Sequence, residues 1–106
     1  MIIKLNTVLV DEKGEPLKDG DKEIVTLGVV CTNALLAPDP EERNLDNKVK
    51  KYHLHLRMFE KEEVEITADE IVLLEKCINV AYTQPLIVGQ VRDILEQKVL
   101  EQKEEN

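Results

Sequence analysis

Residues 66–90 read ITADEIVLLEKCINVAYTQPLIVGQ. Thr67 followed three positions later by Glu70 is a capping box, in which each side chain accepts a backbone N–H at the start of a helix. Ile71, Leu74, Ile78 and Ala81 then recur at helical spacing, and Val72, Leu73 and Cys77 widen the stripe. A helix that apolar is expected to be buried on more than one side. Gln84-Pro85 breaks it, and Pro85 suits the first turn of a following helix, where its missing N–H is not needed. Ile87, Val88, Val91, Ile94, Leu95 and Val99 carry that last helix. Nothing in this stretch has the character of a catalytic group, so it reads as core.

Upstream, Leu45, Val49, Tyr52, Leu56 and Phe59 step by four, three, four and three. That is one clean stripe, the pattern of a helix packing an apolar face. Val64-Glu65-Ile66 reads as a short extended link between this helix and the next. Leu27, Val30, Cys31, Ala34 and Leu35 also recur at helical spacing behind Thr26, a candidate N-cap. APDPEERN (37–44) is a loop, because two prolines two apart stop a helix. Residues 2–10, IIKLNTVLV, are β-branched and apolar and predict a strand. Gly14 supplies a tight turn, Pro16 suits an edge strand, and residues 8–10 with 15–17 predict a short hairpin. Asp19-Gly20 marks a second turn, and KEIVTL a further strand. No internal repeat is evident. The expected fold is α+β: an N-terminal β-hairpin or three-stranded meander packed on about four helices. Residues 1–100 form a single domain and 101–106 a charged, flexible tail.

The chain has 106 residues, 42% of them apolar, with a formal charge of −8 and few aromatics. Free nucleic acid is an unsuitable ligand for so acidic a chain, since phosphate contacts need a basic footprint. Carboxylates posing as phosphates are disfavoured too, because Lys13, Lys18, Lys22, Lys61 and Lys76 interrupt the acidic runs. Cys31 and Cys77 lie on apolar stripes and are expected to be reduced core thiols. MIIKLNTVLV is too short an apolar run for a signal peptide, and nothing approaches a membrane span, so a cytoplasmic protein is expected.

Candidate chemistry is sparse. His53 and His55 are two apart on a predicted helix, so they point to nearly opposite sides and cannot share a metal. Gly14, Gly20, Gly28 and Gly89 make no phosphate loop. The acids of DPEE and EKEEVE are consecutive, whereas catalytic carboxylate pairs need separate positions. No cofactor, metal or enzyme activity is expected.

KLNTVLVDEKGEPLKDGDKEIVTLGVVCTNALLA, a polar loop, and VEITADEIVLLEKCINVAYTQPLIVGQVRDILE together resemble the small uncharacterised proteins of tailed bacteriophages and prophages. In these a short KLN hairpin precedes TLG…NALLA, and the chain ends in a capped helix, a proline and a VGQ segment. The resemblance spans nearly the whole chain and carries no catalytic residue. It implies a phage origin and a bacterial host cell.

The expected function is protein–protein binding, to host machinery or to a phage partner. The predicted surface is the exposed side of the basic helix, with Lys48, Lys51, His55 and Arg57, since complementary charge selects partners. The acidic loop at Asp39, Glu41 and Glu42 is a second candidate. The alternative is a virion-assembly role through a homo-oligomer, using the edge of the first strand or the stripe of 85–100.

Overall fold

The computed structural model describes residues 1–20 and 22–96. Asp21, Val99 and the expected tail at 101–106 lie outside them. Among the described residues four helices and two short strands follow the order β1 (Ile2–Lys4), α1 (Leu27–Leu36), α2 (Leu45–Met58), β2 (Glu63–Glu65), α3 (Ala68–Ala81) and α4 (Pro85–Glu96). The fold is α+β, and its sheet is the antiparallel pair β1–β2, with Ile3 opposite Val64. The predicted three-stranded meander is not formed. The first strand pairs instead with residues 63–65, which overlap the extended link expected at Val64-Glu65-Ile66.

Between β1 and α1 the chain closes on itself through single bridges, Val10 to Pro16, Lys18 to Ile24 and Val8 to Thr26. The Leu9 N–H donates to the Val25 carbonyl at 3.0 Å, Leu17 N–H to Leu9 at 2.8 Å, and Val25 N–H to Leu17 at 2.9 Å. Three residues eight apart thus form a closed ring of backbone bonds. The turns between them are alike. Asp11 and Asp19 each accept on the side chain from the N–H four residues on, at 3.0 and 3.1 Å. Each turn also holds a left-handed residue, Gly14 at φ 82° and Lys22 at φ 67°. The segment is therefore an eight-residue repeat, which corrects the reading that none exists. A three-residue ring satisfies backbone groups that a regular ladder would otherwise pair.

Gln90 locks this segment to α4. Its Oε1 accepts from the Val10 N–H at 3.0 Å, and its Nε2 donates to the Val10 carbonyl at 2.6 Å and the Leu86 carbonyl at 3.1 Å. One amide side chain takes the place of a neighbouring strand. Gln90→Ala would leave both groups of Val10 without these bonds, so a loss of about 1–3 kcal/mol is expected in urea unfolding.

The core is one cluster running from Ile3 to Leu95. α1 buries Leu27, Val30, Cys31, Ala34 and Leu35, the stripe read from sequence. Thr26 caps it, accepting from the Val29 N–H at 3.3 Å. The capping box of α3 is complete, Glu70 N–H to Thr67 at 3.2 Å and Thr67 N–H to Glu70 at 2.9 Å. Leu74, Cys77 and Ile78 of α3 are buried, and so are Val91 and Leu95 of α4. Ile87, Val88 and Ile94 of the same stripe are partly buried against that core.

α2 departs from expectation. Leu54 and Met58 are its buried side chains, 2% and 1% exposed. The clean stripe faces outward: Leu45, Val49, Tyr52, Leu56 and Phe59 are between 41% and 71% exposed.

Candidate functional site

α2 is capped by Asn44, whose side chain accepts from the Asn47 N–H at 3.1 Å; the helix packs on α1 and shares a groove with α3. Its buried pair is four apart, one turn on one face. The opposite face carries the five-residue stripe. Steps of four, three, four and three are the heptad seam of a helix that meets another helix. Over 14 residues at about 1.5 Å each, the seam extends roughly 21 Å. Monomers rarely expose contiguous apolar patches much beyond a few hundred Å², and larger ones mark contact sites.

The predicted site residues divide among three places. Asp39, Glu42, Lys51 and Arg57 gather along a groove of about 620 Å³ between α2 and α3, whose lining also includes Lys50, His53 and Cys77. Lys51 and Glu42 pair there at 3.5 Å, both mostly covered. Arg57 pairs with Glu70 and donates to the Glu65 carbonyl at 2.6 Å, tying α2 to the β2–α3 junction. The charges of Lys51 and Arg57 are therefore engaged within the fold. Charge reversal at Arg57 would unsettle that junction as well as any partner, so it cannot isolate a binding surface.

Lys48 stands on the other flank, in a small hollow of about 310 Å³ with Leu36 and Tyr52, to which Asp39, Glu42 and Lys51 also contribute. His55 turns to α1. Its Nδ1 lies 3.0 Å from the Thr32 carbonyl, which accepts only, so Nδ1 carries the hydrogen. Its ring also stacks on Phe59, centroids 5.3 Å apart. Glu41 is exposed in the loop, its N–H donating to the Asp39 carboxylate at 3.1 Å. As the helical spacing required, His53 and His55 point apart, to the α3 groove and to α1.

The seam is visible in the sequence as a pattern, which does not say which way it faces. The signal lay in the remaining apolar residues: Leu54 and Met58 are four apart and outside the stripe. They supply the inward face and leave the stripe outside.

Lys51–Glu42 and Arg57–Glu70 pair along the groove, and Cys77 lies in its lining. Burial pushes the Cys31 thiol up to about 12, and burial likewise raises Cys77 against the field of Lys51. Neither thiol is a thiolate at neutral pH, and both are free and buried. Partial burial works to raise the Glu70 carboxyl. Hydrogen bonds from Arg57 and Thr67 together outweigh it and hold the group below its ordinary value near 4.5. A carboxylate lowered in the fold contributes stability above its unfolded value and loses it as pH falls through the folded one. Melting temperature is therefore expected to drop as pH is lowered below about 4.3. Glu70→Gln should melt lower at neutral pH and show a flatter acid limb.

Comparison with protein-family models, with curated proteins and with solved structures finds no match in any of the three. Among the described residues no helix is long and apolar enough to cross a membrane.

Proposed function

We propose that the protein is a binding module, not an enzyme, and that it holds another protein on the outer face of α2. One observation carries this reading. Four large apolar side chains of α2, with Phe59 at its C-cap, stand at heptad spacing on the face opposite the one that supplies its core contacts. Leaving them in water has no structural return, while covering them with a partner gains roughly 25 cal/mol for each Å² buried. The resemblance to small phage proteins adds a bacterial host as the setting and no site residue.

Capture from bacterial lysate by the tagged protein tests the reading, with Tyr52→Asp/Leu56→Asp beside the wild type. Both sites are exposed, so the two proteins should melt within a few degrees of each other. The expected result is a bound protein that survives moderate salt on the wild type and is lost from the variant. Equal capture by both, or none by either, would remove the seam as the working surface.

A further inference from the structure

The charges beside the seam say what kind of partner it takes. α2 holds Lys48, Lys50, Lys51 and Arg57 against the single acid Asp46, in a chain of net charge −8. Among the described helices it is the one with net positive charge. Lys51 and Arg57 are used by Glu42 and Glu70. Lys48 and Lys50 have no ion-pair partner among the described residues. They lie on opposite flanks, Lys48 toward the end of α1 and Lys50 toward α3. The histidines follow the same division, His55 toward α1 and His53 toward the groove. Each flank of the apolar seam therefore carries a rail of one lysine without an ion-pair partner among the described residues and one histidine; Asp39 and Glu42 stand beside Lys48, and with Asp69 and Glu70 they also line the groove of Lys50.

We propose that the seam receives an acidic amphipathic helix: apolar residues at heptad spacing, with carboxylates on both flanks. This rests on the binding reading above and adds the chemistry of the occupant. An extended strand presents side chains at a period of two and would meet a 4-3-4-3 seam out of step. A second copy of α2 would set Lys48, Lys50 and the histidines against the same groups, and like charges on the flanks of a helical seam oppose pairing. An anionic lipid surface would suit the cations of α2 but would also meet the rest of a chain of net charge −8, whereas a single helix meets only the flanks of α2 and is screened from charges more than about 10 Å away. A helix with glutamates beside its apolar residues satisfies seam and rails together, and steers itself to the site by charge.

Two labelled peptides of about 18 residues test this, long enough to cover the 21 Å seam. Both carry leucine at the heptad core positions. One has glutamate at the flanking positions and the other lysine. By fluorescence anisotropy the glutamate peptide should bind the full chain at least about tenfold more tightly than the lysine peptide. Its affinity should fall as salt rises from about 0.05 to 0.5 M. Lys48→Glu/Lys50→Glu should cancel or invert the preference without moving the melting temperature.

Equal binding of both peptides would overturn the charge assignment and leave the seam as a helix-binding surface. Binding of neither, with phosphatidylserine vesicles bound instead, would overturn the inference in favour of a membrane. A dimeric native mass that Leu56→Asp converts to monomer, again with neither peptide bound, would overturn it in favour of a second copy. The lysate comparison with the seam variant judges the wider binding reading independently of these outcomes.

Discussion

Leu54→Ala is expected to lower stability by about 2–5 kcal/mol, and Leu56→Ala by less than about 0.5 kcal/mol, although both leucines sit on α2 two residues apart. Leu54 is 2% exposed and belongs to the core cluster with Met58, while Leu56 is 51% exposed. Removing the first leaves a cavity among α1, α2 and α3 that close-packed neighbours can only partly refill. Removing the second takes apolar surface out of water. At about 4–8 °C per kcal/mol for a domain near this size, the two variants separate in a simple thermal melt. The sequence pattern by itself predicts the reverse order, since Leu56 lies in the clean stripe and Leu54 does not. The pair therefore discriminates between the two orientations of the helix.

Gly28→Val is expected to destabilise by about 1–3 kcal/mol, the usual range for overpacking a tight site. Gly28 lies in the first turn of α1, where its N–H donates to the Leu5 carbonyl at 2.8 Å. A Cβ there would lie 3.1 Å from that carbonyl oxygen and 3.2 Å from the Leu5 Cβ. Leu5 has little room to yield, being 1% exposed with its own N–H bonded to the Glu62 carbonyl at 2.8 Å. Alanine at position 28 gains helix propensity of up to about 1 kcal/mol against the same crowding, so its net effect is smaller. Valine brings two more methyl groups and loses the helix preference as well. Denaturant unfolding of the two variants, read with the wild type, separates crowding from propensity.

What was legible in the sequence was local. Thr67 and Glu70 announce α3 because both partners of the capping box lie within one turn. Thr26 and the stripe of α1 announce that helix in the same way. Gly14 marks a turn because its left-handed backbone suits glycine. The β1–β2 pair was not legible. Lys4 and Glu63 meet across 59 positions, and Glu63-Val64-Glu65 has one apolar residue with which to declare a strand. The repeat about Leu9, Leu17 and Val25 was hidden because it is short and its turns match only at Asp11 with Asp19 and Glu15 with Glu23. The orientation of α2 was not legible for a different reason. Hydrophobic periodicity finds the apolar face of a helix but does not say whether the chain's own core or another molecule covers it. Among the predicted site residues, Lys48 and His55 do flank the exposed seam. Lys51 and Arg57 were drawn there by charge alone, and their acidic neighbours in the fold, Glu42 and Glu70, could not be paired from sequence.

The outward seam of α2 is the central claim, and thiol accessibility tests it most directly. Cysteine is placed at position 54 or position 56 in turn, and labelling by an aromatic disulfide reagent is followed under native conditions at micromolar protein. The native Cys31 and Cys77 are buried and serve as the protected reference. The account predicts that Leu56→Cys reacts at the rate of a free thiol, while Leu54→Cys reacts no faster than the fold opens. A protected position 56 beside a reactive position 54 would contradict it, and would return the stripe to the core.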